Sequence, residues 1–296
     1  MHAIVFLTYF TDPTVIKHFE KLSGDMLEDT QHRIHFYYDK IPNKVKLDQI
    51  KINKCDKVDS FTQTDWNLYK KSTRFHNAFI PGNSETAFLM FYDNYPHYDY
   101  YWFIEYDVAY SGNWYKFFDF FTKNKSDLLT TTLCCFNQIP NWGLWKTLTA
   151  PNDIAIDQKN KVRAFMPICR LSNYALQEIK EGYAQGWKGH SECVLPTLVK
   201  HSNLVIEDIG GNGEFVKSCN INQFYSNTIH NEDLSPGTFK FRPILYKPGN
   251  EPNKLWHPVK SHKMKSWDRE IGILESLCNK IKNRLNRLFP SSKHDC

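Results

Sequence analysis

Residues 100–108 read Tyr-Tyr-Trp-Phe-Ile-Glu-Tyr-Asp-Val, an apolar and aromatic run that ends in two carboxylates one residue apart. A short continuous apolar run is expected to form a strand buried on both faces. Side chains at i and i+2 of a strand share a face, so Glu105 and Asp107 are expected to emerge together at its C-terminal end. Like charges held that close repel, and burial makes each costlier, unless a cation lies between them. Open α/β sheets bind their ligands outside the carboxyl ends of the strands. The chemistry this implies is a divalent metal facing a phosphate, with a solvated strand end as the plain alternative.

Two later stretches also carry chemistry. Gly189-His190-Ser191-Glu192 offers a serine able to cap a helix and an acid in the first turn. An acid there complements the helix dipole. Trp256-His257-Pro258-Val259-Lys260 sets an imidazole and an ammonium after the last strand signals, where a lone His-Pro otherwise reads as a turn. Gly210-Gly211-Asn212-Gly213 lacks both the following Lys-Ser/Thr and the G-x-G-x-x-G spacing, so it reads as a turn and not a phosphate loop.

The elements that must position these residues begin with a β-α-β unit. Residues 3–9 read as a buried strand and 14–27 as a helix with Val15, Ile16, Phe19 and Leu22 on one stripe. Residues 32–38 read as a second strand ending at Asp39. That opening predicts a doubly wound, mostly parallel α/β sheet flanked by helices. Weak strand signals surround Val45 and residues 50–52. Further helices are expected at 84–95 (capped by Ser84, ended by Pro96), 114–121, from Ser172 onward, and 191–199; further strands at 127–133, 162–168 and 204–206. Residues 136–151, with Trp142, Trp145 and two prolines, read as a loop with exposed aromatics.

Composition sets the class. The chain has 296 residues, 41% hydrophobic and 23% charged, enough to bury a sizeable core in one large or two small domains. An aromatic content of 15% suits packing against sugar rings as well as it suits a Phe-rich core. Neither a signal peptide nor a membrane-spanning run is expected, and eight cysteines without CxxC pairs read as reduced thiols of a cytosolic compartment. The net charge of +5 belongs to the tail: from Lys254 onward ten Lys/Arg face four Asp/Glu, leaving the body near neutral. Nucleic acid is therefore not an expected partner.

The β-α-β opening, the Glu-Tyr-Asp at a central strand end and the late His-Pro-Val-Lys together resemble a GT-A-fold glycosyltransferase, which uses a nucleotide-sugar donor. The resemblance spans the layout of residues 3–260. It implies that Glu105 and Asp107 stand where an Asp-x-Asp motif holds a divalent metal against the donor diphosphate, with Glu replacing the first Asp. It implies His257 as a further metal ligand and Lys260 as a phosphate contact, with Mn²⁺ or Mg²⁺ suited to two carboxylates and a neutral imidazole. It gives Glu192 the role of general base in an inverting enzyme, and no such duty in a retaining one. Thr8 and Asp39 become donor contacts near the nucleobase, Arg74 a contact to the base or diphosphate, and Arg170 a basic residue near the acceptor.

From residue 267 to 289, Ile271, Leu274, Leu277, Ile281, Leu285 and Leu288 recur every three or four positions, with Lys280, Lys282, Arg284 and Arg287 among them. This predicts a basic amphipathic C-terminal helix, lying on an anionic membrane or docked on protein. The expected organisation is a catalytic domain over 1–260 and a basic tail over 261–296. The expected activity is metal-dependent transfer from a nucleotide sugar, UDP-linked by preference, to a glycan or lipid-linked glycan for a cell-surface polysaccharide. The expected location is cytoplasmic, at the membrane face. A non-catalytic carbohydrate-binding protein of this fold and a sugar nucleotidyltransferase are the alternatives. The second is disfavoured because residues 8–13 contain no glycine or basic residue. A glycoside hydrolase would also use two carboxylates, but no degradative context supports it.

Overall fold

The opening segment folds as its pattern dictates. β1 (His2–Thr8) is buried along most of its length, and β2 (His32–Asp39) lies parallel to it with Ile4 opposite Ile34. α1 (Pro13–Asp25) connects them. It starts at Asp12, whose carboxylate accepts from the Thr14 and Val15 N–H groups, and Pro13 occupies a first-turn position that needs no donor. Val15, Phe19 and Leu22 on its inner stripe are buried, and Phe19 meets the rings of Phe6 and Phe36.

The computed structural model describes residues 1–40, 44–50, 54–72, 84–151 and 154–261. Its central sheet adds β3 (Lys57–Phe61), β4 (Tyr100–Glu105), β6 (Leu128–Cys135), β7 (Val162–Ser172) and β8 (Ile206–Asp208), in the order β3-β2-β1-β4-β7-β6-β8. A separate two-strand ribbon pairs β5 (Ala109–Tyr110) with β9 (Leu255–Trp256). β7 runs antiparallel to both neighbours, and the other strands of the large sheet all point one way. The chain steps outward from β1 to β2 and β3, then returns to place β4 on the other side of β1. Such a reversal opens a crevice beyond the C-terminal strand ends, here beyond Thr8 and Glu105, where Leu7 pairs with Glu105.

Alternation along the central strands feeds two cores. Val5, Leu7, Tyr101 and Phe103 face α3 (Glu85–Asn94), α5 (Asn173–Gln185) and α6 (Ser191–His201); Ile4, Phe6, Trp102 and Ile104 face α1 and α4 (Trp114–Phe121). α4 turns Trp114, Phe117, Phe118 and Phe121 inward, and the Trp102 indole sits among the three Phe rings. Cutting a buried aromatic such as Trp102 back to alanine costs about 3–5 kcal/mol. The rigid wall behind the strand ends rests on this aromatic packing.

Several expectations are corrected. β3 and α2 (Gln63–Ser72) were not foreseen, and no strand forms at Val45; residues 51–53 lie outside the described residues. β7 extends to Ser172, well past Ile168. Trp142 and Trp145 are buried, not exposed: they meet edge to face beside Ile139 and Cys193, and the Trp145 indole N–H donates to the Ile139 carbonyl. Ser84 precedes α3 but makes no capping bond. Ser172 does cap α5, accepting from the Ala175 N–H. No described helix is long and apolar enough to cross a membrane. The C-terminal amphipathic helix lies outside the described residues.

Candidate metal centre and cleft

β4 ends at Glu105, and Tyr106 and Asp107 form the turn after it, closed by the Val108 N–H on the Glu105 carbonyl at 3.0 Å. The two carboxylates therefore meet through a turn, not through strand alternation as the spacing suggested. α1 holds that turn from one side, because His18 Nδ1 donates to the Tyr106 carbonyl at 2.9 Å. The Tyr9 and Tyr106 hydroxyls meet at 3.2 Å.

The ribbon brings the distant histidine in. Ala109 pairs with Trp256, and the Val259 N–H donates to the Asp107 carbonyl at 2.8 Å, so residues 257–260 run beside the turn. His257 Nε2 lies 3.5 Å from Asp107 Oδ1, and Lys260 Nζ lies 3.2 Å from Asp107 Oδ2. Glu105, Asp107 and His257 each offer a ligand atom within 4.8 Å of the others. The Ser84 hydroxyl, free of capping duty, donates to Glu105 Oε1 at 3.3 Å.

The hydrogen bonding of His257 decides what this cluster can hold. Its Nδ1 meets the Lys240 carbonyl at 2.7 Å, and a carbonyl only accepts, so the proton sits on Nδ1. In the neutral ring Nε2 then turns a lone pair toward Asp107 Oδ1, a buried oxygen with no hydrogen-bond partner. Two acceptors facing each other in a buried place need a cation between them or a proton on Nε2. Two carboxylates and an imidazole suit Mn²⁺ or Mg²⁺, so the donor set fits the ion the sequence implied.

The two acids are not equivalent. Burial, reinforced by the Asp107 charge, pushes the Glu105 carboxyl up to about 7. Burial acts on Asp107 in the same direction, but positive charge on the His257 ring and on the Lys260 ammonium overrides it and holds that carboxyl below the usual range. Asp107 is thus the anchored anion, and Glu105 the one that a second positive charge would relieve.

A cleft of about 560 Å³ opens over this cluster. Its lining also includes Glu192, His190, Arg163 and Trp142. Glu192 stands in the first turn of α6, as expected, but the cap is His190 and not Ser191: His190 Nδ1 accepts from the Glu192 N–H at 3.2 Å. An accepting Nδ1 carries no proton, in keeping with burial, which lowers the His190 pKa to about 4. Gly189 makes the approach possible. It sits at φ +147°, and a Cβ there would come within 3.1 Å of the Thr147 carbonyl oxygen and the Leu148 Cα. Burial pushes the Glu192 carboxyl up to about 7, against the pull of Arg163 and a backbone hydrogen bond from Met166.

Among the residues singled out from sequence, Glu105, Asp107, Glu192, His257 and Lys260 line one cleft. Thr8 and Asp39 end β1 and β2 on the same side of the sheet, outside that lining. The Thr8 hydroxyl donates to the Phe10 carbonyl at 2.6 Å, and Asp39, half-buried, has its carboxyl raised by desolvation. Arg74 lies outside the described residues. Arg170 is corrected outright. It is fully buried and donates to the carbonyls of Phe121, Asn124 and Ser126, which makes it a structural cation. The turn at Gly210–Gly211 is confirmed as a turn, with both N–H groups on Asp208 Oδ1. Sequence reasoning passed over Arg163 and took Trp142 only as an exposed aromatic of a loop. The available signal was an arginine inside the apolar run Val162-Arg163-Ala164-Phe165.

No protein-family model matches this chain, and no curated protein sequence does. Solved structures with a similar chain course include HddC from Yersinia pseudotuberculosis, 13% identical over 73% of this chain and 90% of that one, TM-score 0.38. The galactosyltransferase LgtC, solved with donor and acceptor sugar analogues, is 9% identical over 70% and 73%, TM-score 0.43. Core-mannan synthase A from Aspergillus fumigatus, in its Mn/GDP form, is 12% identical over 70% and 72%, TM-score 0.37. Likenesses this distant leave the reading of the site to the residues themselves.

Proposed function

We propose that this chain is a metal-dependent glycosyltransferase of the GT-A type. It moves a sugar from a nucleotide-sugar donor, with UDP as the expected leaving group, to a hydroxyl of a glycan or lipid-linked acceptor. The observation that carries the proposal is the convergence of Glu105, Asp107 and His257 at the C-terminal end of β4, with Lys260 beside them and Glu192 lining the same cleft.

Asp107 and His257 would hold the ion, and Glu105 would complete the set or bind the donor ribose. Bound there, Mn²⁺ or Mg²⁺ supplies the positive charge that a departing diphosphate needs. Lys260 Nζ, on Asp107 Oδ2 at 3.2 Å, is placed to give a proton of its ammonium to a diphosphate oxygen as a hydrogen bond. Glu192 takes the proton of the accepting hydroxyl as that oxygen bonds to the sugar's anomeric carbon and the carbon–phosphate-oxygen bond breaks. A carboxyl near 7 is matched to that task at neutral pH. The basic tail would hold the enzyme on an anionic cytoplasmic membrane face, where lipid-linked acceptors and cell-surface polysaccharide synthesis meet.

Calorimetric titration of UDP with Mn²⁺, and again in EDTA, tests the reading on the wild type and on Asp107→Asn. The expected result is UDP binding that weakens at least tenfold in EDTA and equally in Asp107→Asn. UDP binding indifferent to both, or the absence of binding by any nucleotide, would refute it.

A further inference from the structure

The strand that closes the cleft carries a cation that nothing in the transfer reaction accounts for. Arg163, the second residue of β7, is 2% exposed, and its Nη1 is buried with no hydrogen-bond partner among the described residues. It nonetheless lines the cleft. Its guanidinium carbon lies over the Trp142 ring, 5.0 Å from its centre, a cation–π contact that supplies no hydrogen-bond acceptor. A guanidinium stays charged even when buried, and an N–H with no acceptor is a costly thing to keep in a protein interior. Glu192 and Glu232 are the acids in its field. Glu192 is engaged by the Met166 N–H and sits largely protonated below about pH 7, so it leaves the Arg163 charge incompletely answered.

Position along the cleft says what the missing partner is. Lys260 and His257 lie on Asp107, whereas Arg163, at the start of β7, acts on Glu192 at the start of α6. On the transferase reading, on which this inference rests, the leaving diphosphate lies at the metal cluster and the accepting hydroxyl at Glu192. We infer that Arg163, braced by Trp142, binds an anionic group of the acceptor, a carboxylate or a phosphate monoester borne close to the accepting hydroxyl. Arg163 thus sets specificity for an acidic acceptor, such as a uronic-acid-type or phosphorylated sugar. A neutral acceptor would leave the buried fork unsatisfied and would be rejected on that ground.

The test titrates the full-length protein, in EDTA, with glucuronate, inorganic phosphate and glucose, reading dissociation constants by ligand-observed NMR. UDP with Mn²⁺ is measured in parallel. In the wild type, glucuronate or phosphate is expected to bind at least tenfold more tightly than glucose. Arg163→Lys keeps the charge and the apolar stem but loses the fork, and should weaken that binding about tenfold; Arg163→Met should abolish it. UDP with Mn²⁺ should bind both variants as it binds the wild type. Preference for glucuronate assigns the anion as a sugar carboxylate, and preference for phosphate as a phosphate ester. Anion binding no tighter than glucose binding, or unchanged in Arg163→Lys, overturns the inference, and the lysine variant suffices if the methionine variant does not fold. Absence of UDP binding in the wild type would instead sink the transferase reading, a separate result.

Discussion

Glu192→Gln tests the site through stability, with no substrate needed. The wild-type carboxyl lies at about 7 in the folded protein against an ordinary 4.5, with burial the main cause. The folded state therefore holds a proton that the unfolded chain gives up between those two values. Because the native state binds more protons there, stability falls as pH rises through the window, and the full penalty stands above about pH 7. At about 1.4 kcal/mol per tenfold, the gap is worth at most roughly 3 kcal/mol, and half of that is a sober expectation for a side chain that is one-fifth exposed. Glutamine keeps the shape and cannot ionise. Relative to wild type, Glu192→Gln should thus gain about 1–3 kcal/mol on going from pH 5 to pH 8. Urea unfolding of both proteins at the two pH values, in EDTA, measures it, and other titrating groups cancel in the difference. A wild-type-to-variant difference that is the same at pH 5 and pH 8 would show that Glu192 titrates as an ordinary acid, and the case for a base tuned to neutral pH would fall with it. The same carboxyl should place the acid limb of kcat/KM near 7 and remove it in the variant.

Two further substitutions test the scaffold. Arg170→Met removes the donors to the carbonyls of Phe121, Asn124 and Ser126 and should cost about 3 kcal/mol or more in urea unfolding, with nucleotide binding unchanged where the protein is folded; wild-type stability would contradict its structural role. Gly211→Ala would set a methyl 2.2 Å from Cζ of Tyr225, a fully buried ring whose hydroxyl donates to Asp208, so the ring cannot step aside. A loss of about 2 kcal/mol is expected, and a thermal midpoint equal to that of the wild type would show that the turn adapts freely.

The elements legible in the sequence are those whose pattern comes from the core. β1 and β4 are continuous apolar runs because both faces of the sheet are covered, β2 keeps Ile34, Phe36 and Tyr37 in the core around His35, and α1 and α4 show clean inward stripes. β3 escaped because Lys57-Val58-Asp59-Ser60-Phe61 lies at the sheet edge, largely exposed, where burial imposes no pattern. α2 turns only Trp66 and Tyr69 inward and leaves Leu68 exposed, too little for a periodic signal. The carboxylate pair was visible because two acids after an apolar run demand an explanation. The approach of His257 was not visible in any pattern, since it depends on a ribbon of two-residue strands whose partners are far apart in sequence. It came from resemblance, and the geometry supplies the physical reason for it.

The exchange of roles between two arginines shows why topology had to be known. Strand signals over residues 162–168 placed Arg170 just past a strand end, and in an all-parallel sheet that end faces the ligand. β7 instead runs against its neighbours: Arg163 pairs with Cys134 near the C-terminal end of β6, and Arg170 pairs with Trp102 near the start of β4. One reversed strand thus carries its first arginine to the cleft and its second to the far side of the sheet. At that far side Arg170 gives both its Nη groups to the carbonyls of Phe121, Asn124 and Ser126, and its Nε stays buried without a partner among the described residues. At the cleft the Arg163 guanidinium lies over the Trp142 ring, and its Nη1 has no acceptor among the described residues. Periodicity cannot distinguish the two positions, because strand direction leaves no mark on the alternation of side chains. Each keeps one buried nitrogen without a partner, so what distinguishes them is place: Arg163 lines the cleft where an acceptor must bind, and Arg170 does not.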